Sequence, residues 1–252
     1  MSVPTLPHPT ALRIAPEPLS AAAFVPFGTV ISSPLPDALT AIPPLSSLSP
    51  HSPAPVLANQ SSALKYSPIS PLQNAYVECP SRNPAEARMS LFACFPRELR
   101  KAPAAAAASQ GIEDTNVFDV CILERHPFTS QTFIPLQRHT VQGGADEIEE
   151  EPLFLVLVAP TLRKATEVAT GPLGEPVSLQ DPPDLSKIKG FIGHGGQAVT
   201  YACGTWHAPM VVLGRRRIDF VVVQFVNGVD IEDCQEVAFP EGIMVDLGGG
   251  LA

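Results

Sequence analysis

The chain has 252 residues, 45% hydrophobic and 16% charged, with a formal net charge of −9. That length can bury a sizeable core, and an acidic chain whose longest basic run is Arg215–Arg217 suits neither nucleic acid nor an anionic membrane. No apolar run approaches the roughly 20 residues of a membrane-crossing helix.

The N-terminal MSVPTLPHPTALRIAPEP has no charged region leading into an apolar one, so no secretory signal is expected. The five cysteines are odd in number and form no CxxC, which reads as reduced thiols in a cytoplasmic protein. Nearly half of the 29 prolines precede residue 56. Dense proline disfavours long helices and central strands. Leu19–Ile31 predicts a helical turn followed by a strand, and the Pro/Ser/Leu-rich Ser32–Pro55 an irregular surface loop. The packed body is expected to start at Val56–Tyr66. Met89–Leu99 reads as a buried strand stopping at Pro96. The Ala-rich Lys101–Gly111 lacks an amphipathic pattern and reads as a connection.

From there β signals dominate. NVFDVCILE, QTFIPL, LFLVLVAP, AVTYA, MVVLG and IDFVVVQFV are short runs rich in Val, Ile, Phe and Leu, separated by turn residues. Arg138–Pro152, with its acidic run, and the Pro/Gly-rich Thr161–Pro183 read as solvent-facing loops. One helix is expected at Asp184–Phe191, capped by Asp184 and stopped by Gly193 or Gly195. Regularly spaced short strands predict a mainly β sandwich or small barrel with a few short helices. The expected organisation is one domain over 1–252, with 1–55 as a proline-rich wrap.

Two segments carry candidate chemistry. In LERHPFTSQTFIPL an extended backbone turns Glu124 and His126 to one face and Arg125 to the other, and Gln131 opens the next strand. In GTWHAP a Gly turn precedes Trp206 and His207. The spacing E-x-H-x4-Q resembles the first cupin motif and GTWHAP the second, which would bring Glu124, His126, Gln131 and His207 together inside a barrel. Simpler readings stand beside this one: His126 as a turn histidine bonded to backbone, Glu124–Arg125 as a surface ion pair, and Trp206 as a core aromatic. A divalent metal on Glu124, His126, Gln131 and His207 is one version of the site. Because Gln is a weak ligand, a metal-free polar pocket is the version expected.

Several longer stretches, in order, resemble the ureidoglycolate lyase (ureidoglycolate hydrolase) family in its fungal form: VLANQSSALKY, MSLFACFPREL, LERHPFTSQTFIPL, LFLVLVAP, PDLSKIKGFIGHGGQAVTYACGTWHAPMVVLG and IDFVVVQFVNGVDIEDCQEV. The resemblance implies a cupin-like β-barrel, usually a homodimer. It also implies a lyase that splits ureidoglycolate into glyoxylate and urea late in purine and allantoin breakdown. On the matching positions it implies a polar pocket of Asn59, Arg125, His126, Gln131, Tyr201 and His207. Taken with the inward-facing pattern above, His207, His126 and Gln131 are expected to be catalytic, and Asn59, Arg125, Tyr201 and Glu124 substrate-binding. One position departs from the family pattern: Ala93 stands where relatives tend to carry Arg. Other readings are a metal-dependent cupin isomerase or dioxygenase, and a non-catalytic domain that binds glyoxylate or another small acid.

Overall fold

The computed structural model describes residues 3–7, 12–103, 114–136 and 152–248. Residues 104–113 of the Ala-rich connection and 137–151 of the acidic loop lie outside the described residues. A short helix α1, Ala21–Phe24, leads into β1, Gly28–Ser32. There follow β2 Glu86–Cys94, β3 Thr115–Arg125, β4 Gln131–Pro135, β5 Leu153–Ala159, β6 Lys189–His194, β7 Gln197–Tyr201, β8 Trp206–His207, β9 Val211–Leu213 and β10 Ile218–Val226. A four-residue helix α2, Asp230–Asp233, precedes β11, Gln235–Gly248.

The strands form two main sheets. The larger runs β11–β3–β8–β5–β6, with β9 also on β5 and short N-terminal pieces on its edges. There Arg13–Ile14 pairs parallel with β11, and Glu17–Pro18 parallel with β6. The smaller sheet runs β1–β7–β4–β10–β2. The result is a mainly β, cupin-like fold whose curled larger sheet faces the smaller one.

The apolar run LFLVLVA explains the layering. A strand covered on both faces needs no polar alternation, and five residues of β5 divide by parity. Phe154, Val156 and Val158 meet Phe133, Tyr201, Phe220 and Val222 of the small sheet in the core between the sheets. Leu155 and Leu157, with Trp206, Leu123 and Val237, build a second core behind the large sheet.

Several expectations are corrected. Asp184–Phe191 is not a helix. Asp184 caps only the 3-10 turn Leu185–Lys187, its Oδ1 accepting from the Ser186 N–H at 3.2 Å, and the chain then becomes β6. Pairing on both edges takes precedence over local helix preference, and Gly193 sits opposite Phe154, where an added Cβ would lie 2.4 Å from the ring. Thr161–Pro183 is not simply a loop, because Thr166–Thr170 and Pro176–Gln180 form an antiparallel hairpin that buries Ala169. β2 is an exposed edge strand rather than a buried one. Val56–Lys65 folds as a largely exposed two-stranded hairpin.

Gly28 fixes how β1 joins the small sheet. A Cβ there would meet the Thr200 carbonyl oxygen at 1.8 Å, and neither backbone can yield without losing the β1–β7 ladder. Gly28→Ala is expected to cost about 2–3 kcal/mol, lowering the melting temperature by roughly 5–10 °C. A variant that melts with the unmodified protein would contradict this close approach.

Candidate active site

Register decides which side chains meet. Residues directly opposite on neighbouring strands share a face. His207 pairs with Val158 on one side and Glu124 on the other. Val158 belongs to the core between the sheets, so His207 and Glu124 face that interior. One residue earlier, Trp206 pairs with Ala159 and faces the rear core. There its indole N–H donates to the Asp181 carbonyl at 3.1 Å.

His126 follows the end of β3. Its backbone carbonyl accepts from Gly204 N–H at 2.8 Å, tying the two motif turns together. Its Nδ1 lies 2.6 Å from the Asp233 carbonyl. A carbonyl can only accept, so Nδ1 carries the hydrogen and Nε2 presents a bare lone pair. That Nε2 is buried and, among the described residues, has no hydrogen-bond partner.

His207 is held in a similar way. Its Nδ1 donates to the Thr205 carbonyl at 2.9 Å. Its Nε2 faces Gln131 Oε1 at 3.2 Å and Glu124 Oε1 at 3.4 Å. Tyr201 stacks on the His207 ring, with centroids 3.9 Å apart and planes 12° from parallel. The Gln131 amide is oriented by Gln224, whose Oε1 accepts from Gln131 Nε2 at 2.6 Å. Ligand-capable atoms of Glu124, His126 and His207 all lie within 4.8 Å of one another.

The electrostatics follow from burial and proximity. Burial opposes charge on Glu124, but chiefly the hydrogen bond and charge of His207 outweigh it and hold the carboxyl below its ordinary range. Burial pushes the His126 imidazole down, and nearby His207 adds to this against the Asp233 carbonyl. Burial raises the Tyr201 phenol, so it stays neutral.

The structure therefore brings together five residues singled out in the sequence: Glu124, His126, Gln131, Tyr201 and His207. Two others lie elsewhere. Arg125 points to the rear of β3, 95% buried, with its guanidinium 5.0 Å over the Trp206 ring. Its Nη2 donates to Gln235 Oε1 at 2.7 Å and to the Gln180 carbonyl at 3.1 Å. Burial lowers it to about 10, which leaves it charged at neutral pH. Asn59 lies in the exposed turn of the Val56–Lys65 hairpin, where its Nδ2 donates to Ser62 Oγ at 2.8 Å. A cavity of about 640 Å³ beside Gln180 and Gln235 is lined by none of the cluster residues.

Ala93 pairs with Asp219, next to buried Phe220, and so lies on the outer face of the small sheet. An Arg at that position would turn away from the cluster, and Asp219 already pairs with Arg217 at 2.8 Å. Arg88, by contrast, stands opposite Gln224 and shares its face. Gln224 was missed in the sequence, although it is a polar residue in the apolar run IDFVVVQFV at the same parity as Phe220 and Val222.

A family model described as ureidoglycolate lyase matches residues 11–246. The chain belongs to the ureidoglycolate lyase family. It is 28% identical over 225 residues to the ureidoglycolate lyase of Schizosaccharomyces pombe, covering 89% of this chain and 91% of that protein. It is 31% identical over 190 residues to the ureidoglycolate lyase of Saccharomyces cerevisiae, covering 73% of this chain and 78% of that protein. A bacterial relative of that name, from Stutzerimonas stutzeri, is 27% identical over 225 residues and is likewise spanned to 89%.

Membership raises the question of what Arg125 does, since its neighbours on either side enter the cluster. Removing a buried, hydrogen-bonded cation leaves its partners unsatisfied. Arg125→Met is expected to destabilise the fold by about 3 kcal/mol, read from the urea midpoint. A variant as stable as the unmodified protein would contradict the buried network with Gln235, Gln180 and Trp206.

Proposed function

We propose that the chain cleaves ureidoglycolate into glyoxylate and urea by acid/base catalysis within the Glu124–His126–His207 cluster. The observation that carries this reading is the pair of facing imidazoles. His126 offers a bare Nε2 lone pair, and His207 holds its Nε2 against two acceptor oxygens, a place suited to a proton. Family membership supplies the substrate.

One carbon of ureidoglycolate bears a hydroxyl, a carboxylate and a ureido nitrogen. His126 Nε2 takes the hydroxyl proton. The C–O bond becomes the aldehyde C=O of glyoxylate, the C–N bond breaks, and its electron pair goes to the ureido nitrogen. His207 Nε2–H protonates that nitrogen, completing urea. A buried base kept neutral at pH 7 suits the first step, and an acid whose proton is steadied by Glu124 suits the second. Gln131, oriented by Gln224, hydrogen-bonds the urea group, and Tyr201 holds the His207 ring. Arg88 supplies a cation on the same face for the carboxylate. Arg125 and Asn59 take no part, because their polar groups are engaged behind the sheet and within a turn.

The reaction is tested by incubating the protein with racemic ureidoglycolate and following glyoxylate and urea together. His207→Asn, still folded, is expected to lower kcat by about 10²–10⁴-fold. A folded variant with near-native kcat would remove His207 from the mechanism, and ammonia in place of urea would point to amide hydrolysis.

The orphaned His126 Nε2, His207 Nε2 and the Glu124 carboxylate also fit a divalent cation, which when bound would polarise the hydroxyl or carboxylate oxygens. The acid/base reading expects full activity in protein stripped of metal by chelator and verified by elemental analysis. Loss of activity, restored by a divalent ion, would reassign both Nε2 atoms from proton transfer to ligation.

The wider setting belongs to the same proposal: one domain, a homodimer, in the cytoplasm, in purine and allantoin breakdown. Support for the dimer comes from edge strand β2, whose Met89 and Leu91 are 73% and 63% exposed beside Ile134 and Phe95. A second copy would cover such an apolar outer face. Among the described residues no helix is long and apolar enough to cross a membrane.

A further inference from the structure

We infer that Tyr76 and Asp233 are positioning residues that fix the tautomer of His126. The inference deepens the acid/base reading and rests on it for its functional consequence. Its structural core is independent of the substrate.

His126 lies past the end of β3, so no ladder holds it. Its ring is anchored by the Asp233 carbonyl, 2.6 Å from Nδ1. That carbonyl belongs to the last residue of α2, and a four-residue helix is a weak scaffold by itself. What holds it in place is the side chain of the same residue. Asp233 Oδ1 accepts from Tyr76 Oη–H at 2.6 Å and from Asn227 N–H at 2.8 Å, and Oδ2 accepts from Gly228 N–H at 2.9 Å. Neighbouring Glu232 adds a second clamp, accepting from Ser81 N–H at 2.7 Å and Asn227 Nδ2 at 2.7 Å.

Tyr76 is 2% exposed and packs its ring 5.8 Å from that of Phe128. Burial and the nearby Asp233 raise its phenol well above the ordinary range, so it remains the donor. The resulting chain runs from the Tyr76 hydroxyl to the Asp233 carboxylate, through that residue's backbone to its carbonyl, and on to His126 Nδ1–H. Holding the hydrogen on Nδ1 is what leaves Nε2 bare. A loosened Asp233 would let the hydrogen sit on Nε2 instead, where it could no longer accept the hydroxyl proton.

The test uses ¹⁵N-labelled full-length protein and long-range ¹H–¹⁵N spectra, with the His126 signals identified by their loss in His126→Gln. The unmodified protein is expected to show the Nδ1–H tautomer at His126. Tyr76→Phe is expected to show a tautomer mixture and about a tenfold fall in kcat, with KM changed less than about twofold. Asp233→Asn keeps Oδ1 as the acceptor for Tyr76 and Asn227, giving up only the Gly228 bond, and is expected to retain the single tautomer and most of the rate. An Nε2–H tautomer in the unmodified protein overturns the inference. So does a folded Tyr76→Phe with unmoved spectrum and kcat. If Tyr76→Phe does not fold, Asp233→Ala against Asp233→Asn decides, with equal spectra in the two overturning it. The spectra need no substrate. An unmodified protein that shows the expected tautomer but releases no glyoxylate would sink the reaction while leaving the positioning intact.

Discussion

The site depends on one antiparallel register, the pairing of His207 between Glu124 and Val158. Side chains alternate along a strand, so that register sends His207 into the space between the sheets and Trp206 to the rear. A slip of one residue would exchange them, placing an indole at the site and an imidazole in an apolar core. The rear packing of Trp206, under Arg125 and against Asp181, therefore guards the position of its neighbour. Arg125 and Glu124 divide in the same way on the facing strand, one to the rear core and one to the cluster.

Given that placement, the electrostatics of the cluster are self-limiting. Burial alone would raise the Glu124 carboxyl, and it does push the His126 imidazole down. The carboxyl is held down chiefly by the hydrogen bond and charge of His207 beside it. The arrangement thus sets a carboxylate and two imidazoles with different surroundings within a few ångströms of one another.

Much of this was legible in the sequence because it follows from a period of two. Glu124 and His126 share a face, Arg125 opposes them, and the runs from Asn116 to Val226 declare a β fold. What was not legible depended on pairing at a distance. DLSKIKGF has an N-cap and helix formers, yet its second half is a strand, because two neighbours offer it ladders and Gly193 makes room for Phe154. Asn59 matches a family motif, but its amide closes a turn. Gln224 carried a usable signal, being polar at an inward parity, though only its bond to Gln131 shows what it orients. Likewise, no spacing reveals that Ala93 faces outward while Arg88, five positions earlier in the same strand, faces in.

The two histidines share one further feature that bears on how such a site can work. Each gives its Nδ1–H to a main-chain carbonyl, His207 to Thr205 and His126 to Asp233. Main-chain acceptors do not titrate, so neither anchor changes state when a proton moves through the cluster. Both Nε2 atoms are then left for the interior, and what distinguishes them is their surroundings: two acceptor oxygens for His207 and no partner for His126. The backbone sets which nitrogen is available on each ring, and the side chains around it set what that nitrogen meets. The same ring, presented twice in one orientation, can in this way serve two opposite proton-transfer roles.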